Sequence, residues 1–212
     1  MRILITAGPT REALDPVRYL TNRSSGRMGY AIAEAAVEAG HEVVLVSGPV
    51  SLAKPAGVEV IAVESARQMF EAVQKSLAGC DAAIFAAAVA DYRPVSVSEQ
   101  KIKKKGERLV LELERTEDIL GSARSVFGFR GVLAGFAAES EKLIEHAREK
   151  LERKGCDVII ANDITQPGIG FDSAENAVTL CLPGGRTKSL PRQPKTQLAR
   201  ALLAEILTLK TS

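Results

Sequence analysis

The feature that most constrains the fold is a strand–helix–strand pattern at the start of the chain. An apolar run at residues 3–7 predicts a buried strand, and a second run at 43–46 predicts its neighbour. Between them, residues 28–39 have the periodicity of an amphipathic helix. Two strands joined through a helix favour parallel pairing. The chain is therefore expected to build an α/β sheet outward from this unit.

The connection between the first strand and its helix is unusually long, from Gly8 to about Ser25. Such connections usually have about 2–6 residues. Open α/β sheets bind ligands at the carboxyl ends of their strands, so an extended loop here is expected to bind a ligand. The loop is rich in polar and charged groups: Thr10, Arg11, Glu12, Asp15, Arg18, Asn22, Arg23, Ser24 and Ser25.

The start of the first helix, Ser24-Ser25-Gly26, has the chemistry of an anion site. Hydroxyls and free N–H groups at a helix start attract negative charge. In the alternative interpretation, one serine is an ordinary N-cap and Gly29 only lets the helix approach the sheet. The anion site is favoured because four cationic or amide side chains surround these residues: Arg18, Asn22, Arg23 and Arg27.

Strand and helix patterns continue to alternate along the chain. Strands are predicted near 2–7, 42–47, 58–63, 82–87, 109–113, 132–137, 157–161, 177–182 and 187–190. Helices are predicted near 27–39, 65–78, 117–126, 139–154 and 195–209. This order predicts a Rossmann-like, mostly parallel α/β sheet with helices on both faces. Pro183-Gly184-Gly185 predicts an antiparallel C-terminal hairpin. With no repeat or linker, residues 1–212 are expected to form a single domain.

Composition excludes several function classes. A net charge of +2 gives no global electrostatic case for binding nucleic acid or a membrane. Without a signal-peptide pattern or a run of transmembrane length, a cytoplasmic location is expected. Cys80, Cys156 and Cys181 are far apart, which predicts reduced thiols and a buried Cys156. Neither His41 nor His146 has a partner carboxylate by spacing, so no histidine base is expected.

Two strand ends have residues that would suit a nucleotide. The residues that follow Phe85 have very small side chains, which would let a flat ring or a ribose approach the backbone closely. Asp91 then offers a carboxylate that could bind a ribose hydroxyl or a metal. Alternatively, the alanines fill the core and Asp91 belongs to a turn. Phe136 either stacks on a base or packs in the core. Glu139 is expected in the first turn of the next helix.

The lysines also allow two interpretations. Residues 99–106 form a basic run that is either solvated or a flap that carries a lysine over phosphates. Lys150 and Lys154 lie four apart on one helix face, where they either face solvent or share an anionic partner. The loop that begins near Ile164 has a length often associated with function.

In this order, the motifs resemble the phosphopantothenate–cysteine ligase family, also called phosphopantothenoylcysteine synthetases. The matching runs are ITAGPTRE-LDPVRY, TNRSSGRMGYAIA, LVSGPVSL, AAVADYRP, KIKK, GFAAE, ANDI and GF-S-x-x-N, over residues 3–176. In many bacteria this activity is the C-terminal half of a fusion with a flavin-dependent decarboxylase. The sequence lacks that half, so no flavin is expected, and the chain is either a separate ligase or part of a longer protein.

The resemblance implies a two-step reaction in coenzyme A biosynthesis. The carboxylate of 4′-phosphopantothenate attacks the α-phosphate of CTP, with Mg²⁺, and releases pyrophosphate. The amine of L-cysteine then attacks the acyl-cytidylate, which gives the amide and CMP. The family also implies a homodimer, to which the long first loop, residues 9–29, is expected to contribute.

Site residues follow from the resemblance position by position. Asn22 matches the asparagine that handles the acyl-cytidylate, and Lys101 matches the flap lysine, so both are expected to be catalytic. The CTP-binding positions are Phe85, Ala86, Ala87, Asp91, Lys101, Glu117, Asp118, Ile119, Leu120, Phe136, Lys150 and Lys154. The phosphopantothenate-binding positions are Arg18, Asn22, Ser24, Ser25 and Gly26. Glu117 stands where relatives commonly have proline, so a less rigid loop is expected.

Two competing functions are a nicotinamide-dependent Rossmann reductase and a non-catalytic nucleotide-binding module. The reductase predicts a compact G-x-G-x-x-G and an acidic residue at the end of the second strand. Here Pro9 follows Gly8 directly, and the second strand ends in Ser47-Gly48-Pro49. The sequence leaves the choice between CTP and ATP open.

Overall fold

The structure, a computed structural model, describes residues 1–104, 106–163, 165 and 173–210. Its strands are β1 (Arg2–Ala7), β2 (Arg11–Ala13), β3 (Tyr19–Thr21), β4 (Glu42–Ser47), β5 (Glu59–Ala62), β6 (Ala82–Phe85), β7 (Tyr92–Pro94), β8 (Leu113–Arg115), β9 (Val132–Glu139), β10 (Val158–Asp163), β11 (Glu175–Cys181) and β12 (Thr187–Pro194). Its helices are α1 (Arg27–Glu38), α2 (Ala66–Ser76), α3 (Ile119–Ser125), α4 (Leu143–Lys154) and α5 (Lys195–Thr208).

The main sheet has the order β12-β11-β10-β9-β6-β1-β4-β5. Pairing is parallel from β10 through β5, whereas β11 and β12 pair antiparallel. This confirms the predicted Rossmann-like sheet and its C-terminal hairpin. The chain first builds outward from β1 to β5 and then returns to place β6 on the other side of β1. Such a reversal opens a crevice at the carboxyl ends of the strands, where ligands bind.

Helices cover both faces of the sheet, because successive strand residues point to opposite sides. Ile3 and Ile5 pack on the side of α1 and α5, whereas Leu4 packs on the side of α2, α3 and α4. Central strands of this kind are apolar on both faces, which is why the first strand was so evident in the sequence. No helix in the described part of the chain is long and apolar enough to cross a membrane.

The three cysteines lie in the core on the side of α2, α3 and α4. All three are buried free thiols. Burial raises the pKa of Cys156 to about 12, so this thiol stays protonated at neutral pH. The expected buried Cys156 is confirmed.

Two predicted elements were wrong. The alternating residues 109–113 do not form a strand: β8 begins only at Leu113, and the side chain of Val110 is 89% exposed. Residues 109–113 are all exposed, so the alternation in this run buries no apolar face. The helix expected from 139 begins at Leu143, because β9 continues along β10 as far as Glu139.

The long first loop is itself folded. Strands β2 and β3 form an antiparallel hairpin within it, and Pro9 forms a bridge with Ala88 after β6. The buried carboxylate of Glu12 accepts a 2.9 Å hydrogen bond from the backbone N–H of Ala66, at the start of α2. The loop is therefore packed against the rest of the protein at the carboxyl ends of the strands.

Candidate functional site

A cavity of about 810 Å³ lies at the carboxyl ends of the central strands. It is lined by the start of α1, the loop after β6, the start of α3, the end of β9 and two half-buried lysines of α4. Fifteen of the seventeen predicted catalytic and binding residues line it: Asn22, Ser24, Ser25, Gly26, Phe85, Ala86, Ala87, Asp91, Glu117, Asp118, Ile119, Leu120, Phe136, Lys150 and Lys154. The fold thus brings several distant stretches of chain to one cavity.

Two expected site residues, Arg18 and Lys101, lie outside the cavity wall. Arg18 donates from Nε to Asp15 Oδ2 at 3.0 Å and from Nη2 to the carbonyl oxygen of Ile102 at 2.7 Å. Lys101 is exposed and precedes Ile102 directly. Both residues therefore belong to the junction between the first loop and the basic segment.

The start of α1 depends on Gly26 rather than on a serine cap. Gly26 is the N-cap residue with φ of 75°, and no described side chain caps this end. A Cβ at this position would lie 2.7 Å from Val50 Cγ1, so glycine also allows close packing there. The serine N-cap interpretation is wrong. An uncapped helix start at the wall of a cavity fits the anion site that the sequence favoured.

Asn22 joins the first loop to the loop after β6. Its Nδ2 donates to the carbonyl oxygen of Val89 at 2.9 Å and to that of Ala88 at 3.3 Å. Nearby, the backbone N–H of Ala88 donates to the carbonyl of Gly8 at 2.9 Å. The amide of Asn22 is thereby oriented at the cavity wall by two backbone acceptors.

Lys150 and Lys154 reach the cavity from α4. Lys150 Nζ donates a 2.7 Å hydrogen bond to the carbonyl oxygen of Phe136, and Lys154 Nζ forms an ion pair with Asp118. Burial, together with the charge of Lys154, lowers the pKa of Lys150. Asp118 also caps α3 by accepting from the N–H of Gly121 at 3.0 Å. These cations are therefore built into the cavity wall.

The Glu117 carboxylate is held by two arginines. Its oxygens lie 3.1 and 3.0 Å from Arg93 Nη1, and Arg67 Nη1 lies 3.4 Å from Oε1. These ion pairs restrain the loop at Glu117, which was expected to be less rigid. The structure thus supplies a restraint that the sequence did not reveal.

Two expectations about Glu139 and His146 were wrong. Glu139 ends β9 instead of starting a helix, and its Oε2 lies 3.2 Å from His146 Nδ1. The extra length of β9 places the carboxylate beside the first turn of α4, where His146 lies. His146 therefore has a carboxylate partner that its spacing in the sequence did not indicate.

Sequence reasoning missed Asn162, Asn176 and Lys195 as site residues, although all three are buried and line the cavity. Asn162 is 7% exposed, and its Oδ1 has no hydrogen-bond partner among the described residues. A polar residue at the end of an apolar strand was a signal for Asn162. The sequence around Lys195 contains no such signal, because only the order of the strands in the sheet brings the start of α5 to this edge. The motif residues Ile164, Gly170 and Phe171 lie outside the described residues.

Comparison with known proteins places this geometry in a family. The model described as DNA/pantothenate metabolism flavoprotein C-terminal domain matches residues 1–209. The Coenzyme A biosynthesis bifunctional protein CoaBC of Vibrio vulnificus (strain YJ016) is 48% identical over 209 residues, which cover 98% of this chain and 52% of that protein. The chain thus spans about half the length of the curated relatives it matches.

Comparison with solved structures supports the same family. The crystal structure of the C-terminal domain of Coenzyme A biosynthesis bifunctional protein CoaBC has a TM-score of 0.84 at 44% identity, covering 100% of this chain and 96% of that one. The DNA/pantothenate metabolism flavoprotein from Streptococcus pneumoniae has a TM-score of 0.84 at 27% identity, covering 98% and 99%. This chain therefore belongs to the DNA/pantothenate metabolism flavoprotein C-terminal domain family.

Proposed function

We propose that the chain is a phosphopantothenate–cysteine ligase of coenzyme A biosynthesis. One observation carries the proposal: a single cavity holds both a cationic wall, Lys150 and Lys154, and an uncapped helix start beside Asn22. The volume of about 810 Å³ lies in the range of small-molecule sites, about 300–1,000 Å³. The name of the bifunctional relatives, which refers to coenzyme A biosynthesis, supports the pathway.

In the proposed reaction, CTP activates the carboxylate of 4′-phosphopantothenate. The carboxylate oxygen forms a bond to the α-phosphorus, and the bond to pyrophosphate breaks. The amine of cysteine then attacks the acyl carbon of the acyl-cytidylate, loses a proton and expels CMP. CTP, 4′-phosphopantothenate and the acyl-cytidylate are all anionic, so the main tasks of the protein are positioning and charge neutralisation.

The walls of the cavity divide these tasks. Lys150 and Lys154, with Phe136 and Leu120 beside them, are assigned to CTP. The start of α1 at Gly26 is assigned to the phosphate of phosphopantothenate. Asn22 is a neutral side chain near the meeting point, where a carboxylate would repel the substrates.

Mg²⁺ is proposed to accompany CTP, because triphosphate charge must be neutralised for attack at phosphorus. The described residues contain no cluster of three or more histidine, cysteine, aspartate or glutamate side chains that could hold a metal. In this proposal the ion is held largely by the phosphate oxygens, and Asp91 is one of the carboxylates at the cavity wall that could contribute a ligand.

A homodimer is also proposed, through the face formed by the β2–β3 and β7–β8 hairpins. Large apolar side chains are exposed there, among them Val17, Tyr19, Tyr92, Val95 and Val97. A group of exposed apolar side chains on neighbouring hairpins is typical of protein–protein interfaces. The first loop contributes Val17 and Tyr19, as the sequence suggested, and the second hairpin enlarges the same face.

The test is product formation from CTP, 4′-phosphopantothenate, L-cysteine and Mg²⁺, followed by mass spectrometry. Phosphopantothenoylcysteine and CMP are expected in equal amounts, and omission of any one substrate should abolish both. Absence of the amide from the complete mixture would contradict the proposal. Turnover of a nicotinamide cofactor would favour the reductase instead.

A further inference from the structure

Asp15 is a fully buried carboxylate within the first loop, with no exposed side-chain surface. Its Oδ1 accepts hydrogen bonds from the backbone N–H groups of Val17 and Arg18, at 2.8 and 2.9 Å, which shapes its own turn. Its Oδ2 accepts from Arg18 Nε and from the backbone N–H of Ile102, both at 3.0 Å. The two oxygens therefore have separate roles: Oδ1 stabilises the local turn, and Oδ2 binds a residue 87 positions along the chain.

The contact with Ile102 is part of a larger junction. Arg18 Nη2 donates to the carbonyl oxygen of Ile102 at 2.7 Å, so both backbone groups of this residue are held. Four residues earlier, the N–H of Ser98 donates to the carbonyl of Leu14 at 3.0 Å. The stretch between these ties contains Lys101. The flap segment, residues 98–104, is thus fastened to the first loop on both sides of its lysine.

The charge of Asp15 suits it to this junction. Its hydrogen bond with Arg18 holds its pKa well below the usual range, so the carboxylate is ionised at any physiological pH. Hydrogen bonds to an ionised acceptor are about twice as strong as neutral ones. A buried carboxylate without such donors would be strongly destabilising. The arrangement therefore persists only while Arg18 and Ile102 occupy these places.

We propose that Asp15 is a positioning residue that acts through Ile102 to fix the backbone on which Lys101 is carried. This rests on the proposed function and on the expectation, from the family resemblance, that Lys101 is the flap lysine that binds the phosphates of CTP. A catalytic side chain is effective only when its attachment point is held within a small range of positions. Asp15 does not line the cavity to which the substrates are assigned, so its effect on them is expected to be indirect.

Asp15→Asn separates the two roles. The amide keeps an oxygen for the turn at Val17 and Arg18 but presents N–H groups in place of Oδ2, toward donors that need an acceptor. The matched control is Asp81→Asn. Asp81 Oδ2 likewise accepts from a backbone N–H, that of Arg2 at 2.8 Å, but at the opposite edge of the sheet.

The first readout is limited trypsin digestion, which needs no enzymatic activity. Mass spectrometry gives the rate of cleavage after Lys101, Lys103 and Lys104 in the folded protein. Loss of a charge-assisted tie should raise this rate about tenfold or more in Asp15→Asn and leave it unchanged in Asp81→Asn. An unchanged rate in Asp15→Asn would overturn the proposal.

The second readout is a double-mutant cycle with Lys101→Gln. Asp15→Asn should lower kcat about tenfold or more in the wild-type background and have little further effect when Lys101 is already glutamine. The same loss in both backgrounds would show that Asp15 acts elsewhere and would overturn the proposal. A wild-type chain without ligase activity would instead refute the proposed function, while the trypsin result still decides whether Asp15 fixes the flap segment.

If Asp15→Asn does not fold, Asp15→Ser replaces it in both measurements. A serine hydroxyl still accepts from the N–H groups of its own turn but is too short to bind the flap segment. The same increase in cleavage and the same non-additivity with Lys101→Gln are expected. Wild-type cleavage in this variant would equally overturn the proposal.

Discussion

The Nζ of Lys150 donates a 2.7 Å hydrogen bond to the carbonyl oxygen of Phe136, so a cation from α4 is fastened to the end of β9. Lys150 is half-buried, and this burial lowers the pKa of its ammonium group. A cation held in this way at a cavity wall is already positioned for an anionic ligand. When CTP binds, the ammonium group of Lys150 could exchange the neutral carbonyl oxygen of Phe136 for a negatively charged phosphate oxygen.

Lys150→Ala and Lys154→Ala should each weaken CTP binding. Each lost charge-assisted contact is expected to cost about 1.5–3 kcal/mol, measured as the Kd for CTP by calorimetry. Arg148→Ala is the control, because this cation lies on the same helix but donates to Gly185 and does not line the cavity. If the Lys150 and Lys154 double mutant binds CTP with wild-type affinity, neither lysine binds the nucleotide, and both belong to an ordinary solvated helix face.

Asn22→Asp should separate the two half-reactions. The variant is expected to release pyrophosphate from CTP but to pass the acyl group to cysteine slowly, because an acceptor replaces the donor that binds Val89. Pyrophosphate and amide are measured separately. Thr21→Val is the control, since it removes a 2.6 Å tie to Thr10 in the same loop without touching the cavity. Amide formation by Asn22→Asp at the wild-type rate would disprove this role.

Gly29→Ala should destabilise the contact between α1 and β1. An added Cβ would lie 2.5 Å from the Cβ of Ala7, so the helix must shift away from the sheet. Overpacking of this kind typically costs about 1–3 kcal/mol, measured by thermal or urea unfolding. Glu34→Ala, on the exposed face of the same helix, should leave stability nearly unchanged. Equal stability of the two variants would show that this interface is looser than the structure indicates.

The proposed dimer gives a prediction for sedimentation. The wild-type chain should sediment as a dimer at micromolar concentration, and Tyr19→Glu combined with Val17→Glu should shift it toward the monomer, because charges would replace exposed apolar surface. A wild-type species of 22.6 kDa at that concentration would contradict the dimer.

The sheet could be predicted from the sequence because its central strands are apolar on both faces. Ile3 to Ala7 and the parallel partner at β4 show this directly. The same rule failed at Leu109 and Val110, where the alternation buries no apolar face. Periodicity reports an apolar face, but it does not report whether another layer exists to cover that face.

The candidate site was predictable where residues sit at strand ends or helix starts, as at Asn22 and Phe136. It was not predictable where only the sheet order brings residues together, as for Lys195. The hydrogen bond between Asp15 and Ile102 is of the same kind, since no local pattern joins positions 87 apart. Contacts between residues so far apart in the sequence depend on the topology of the fold and cannot be inferred from the spacing of residues in a motif.

The most direct test of the proposed ligase is pyrophosphate release by the wild-type chain, compared between CTP and ATP with Mg²⁺, phosphopantothenate and cysteine. We predict a higher kcat/KM with CTP, dependence on phosphopantothenate, and a single-turnover burst of pyrophosphate when cysteine is left out. Equal or greater kcat/KM with ATP would contradict the nucleotide assignment. Release of no pyrophosphate under any of these conditions would contradict the proposed reaction itself.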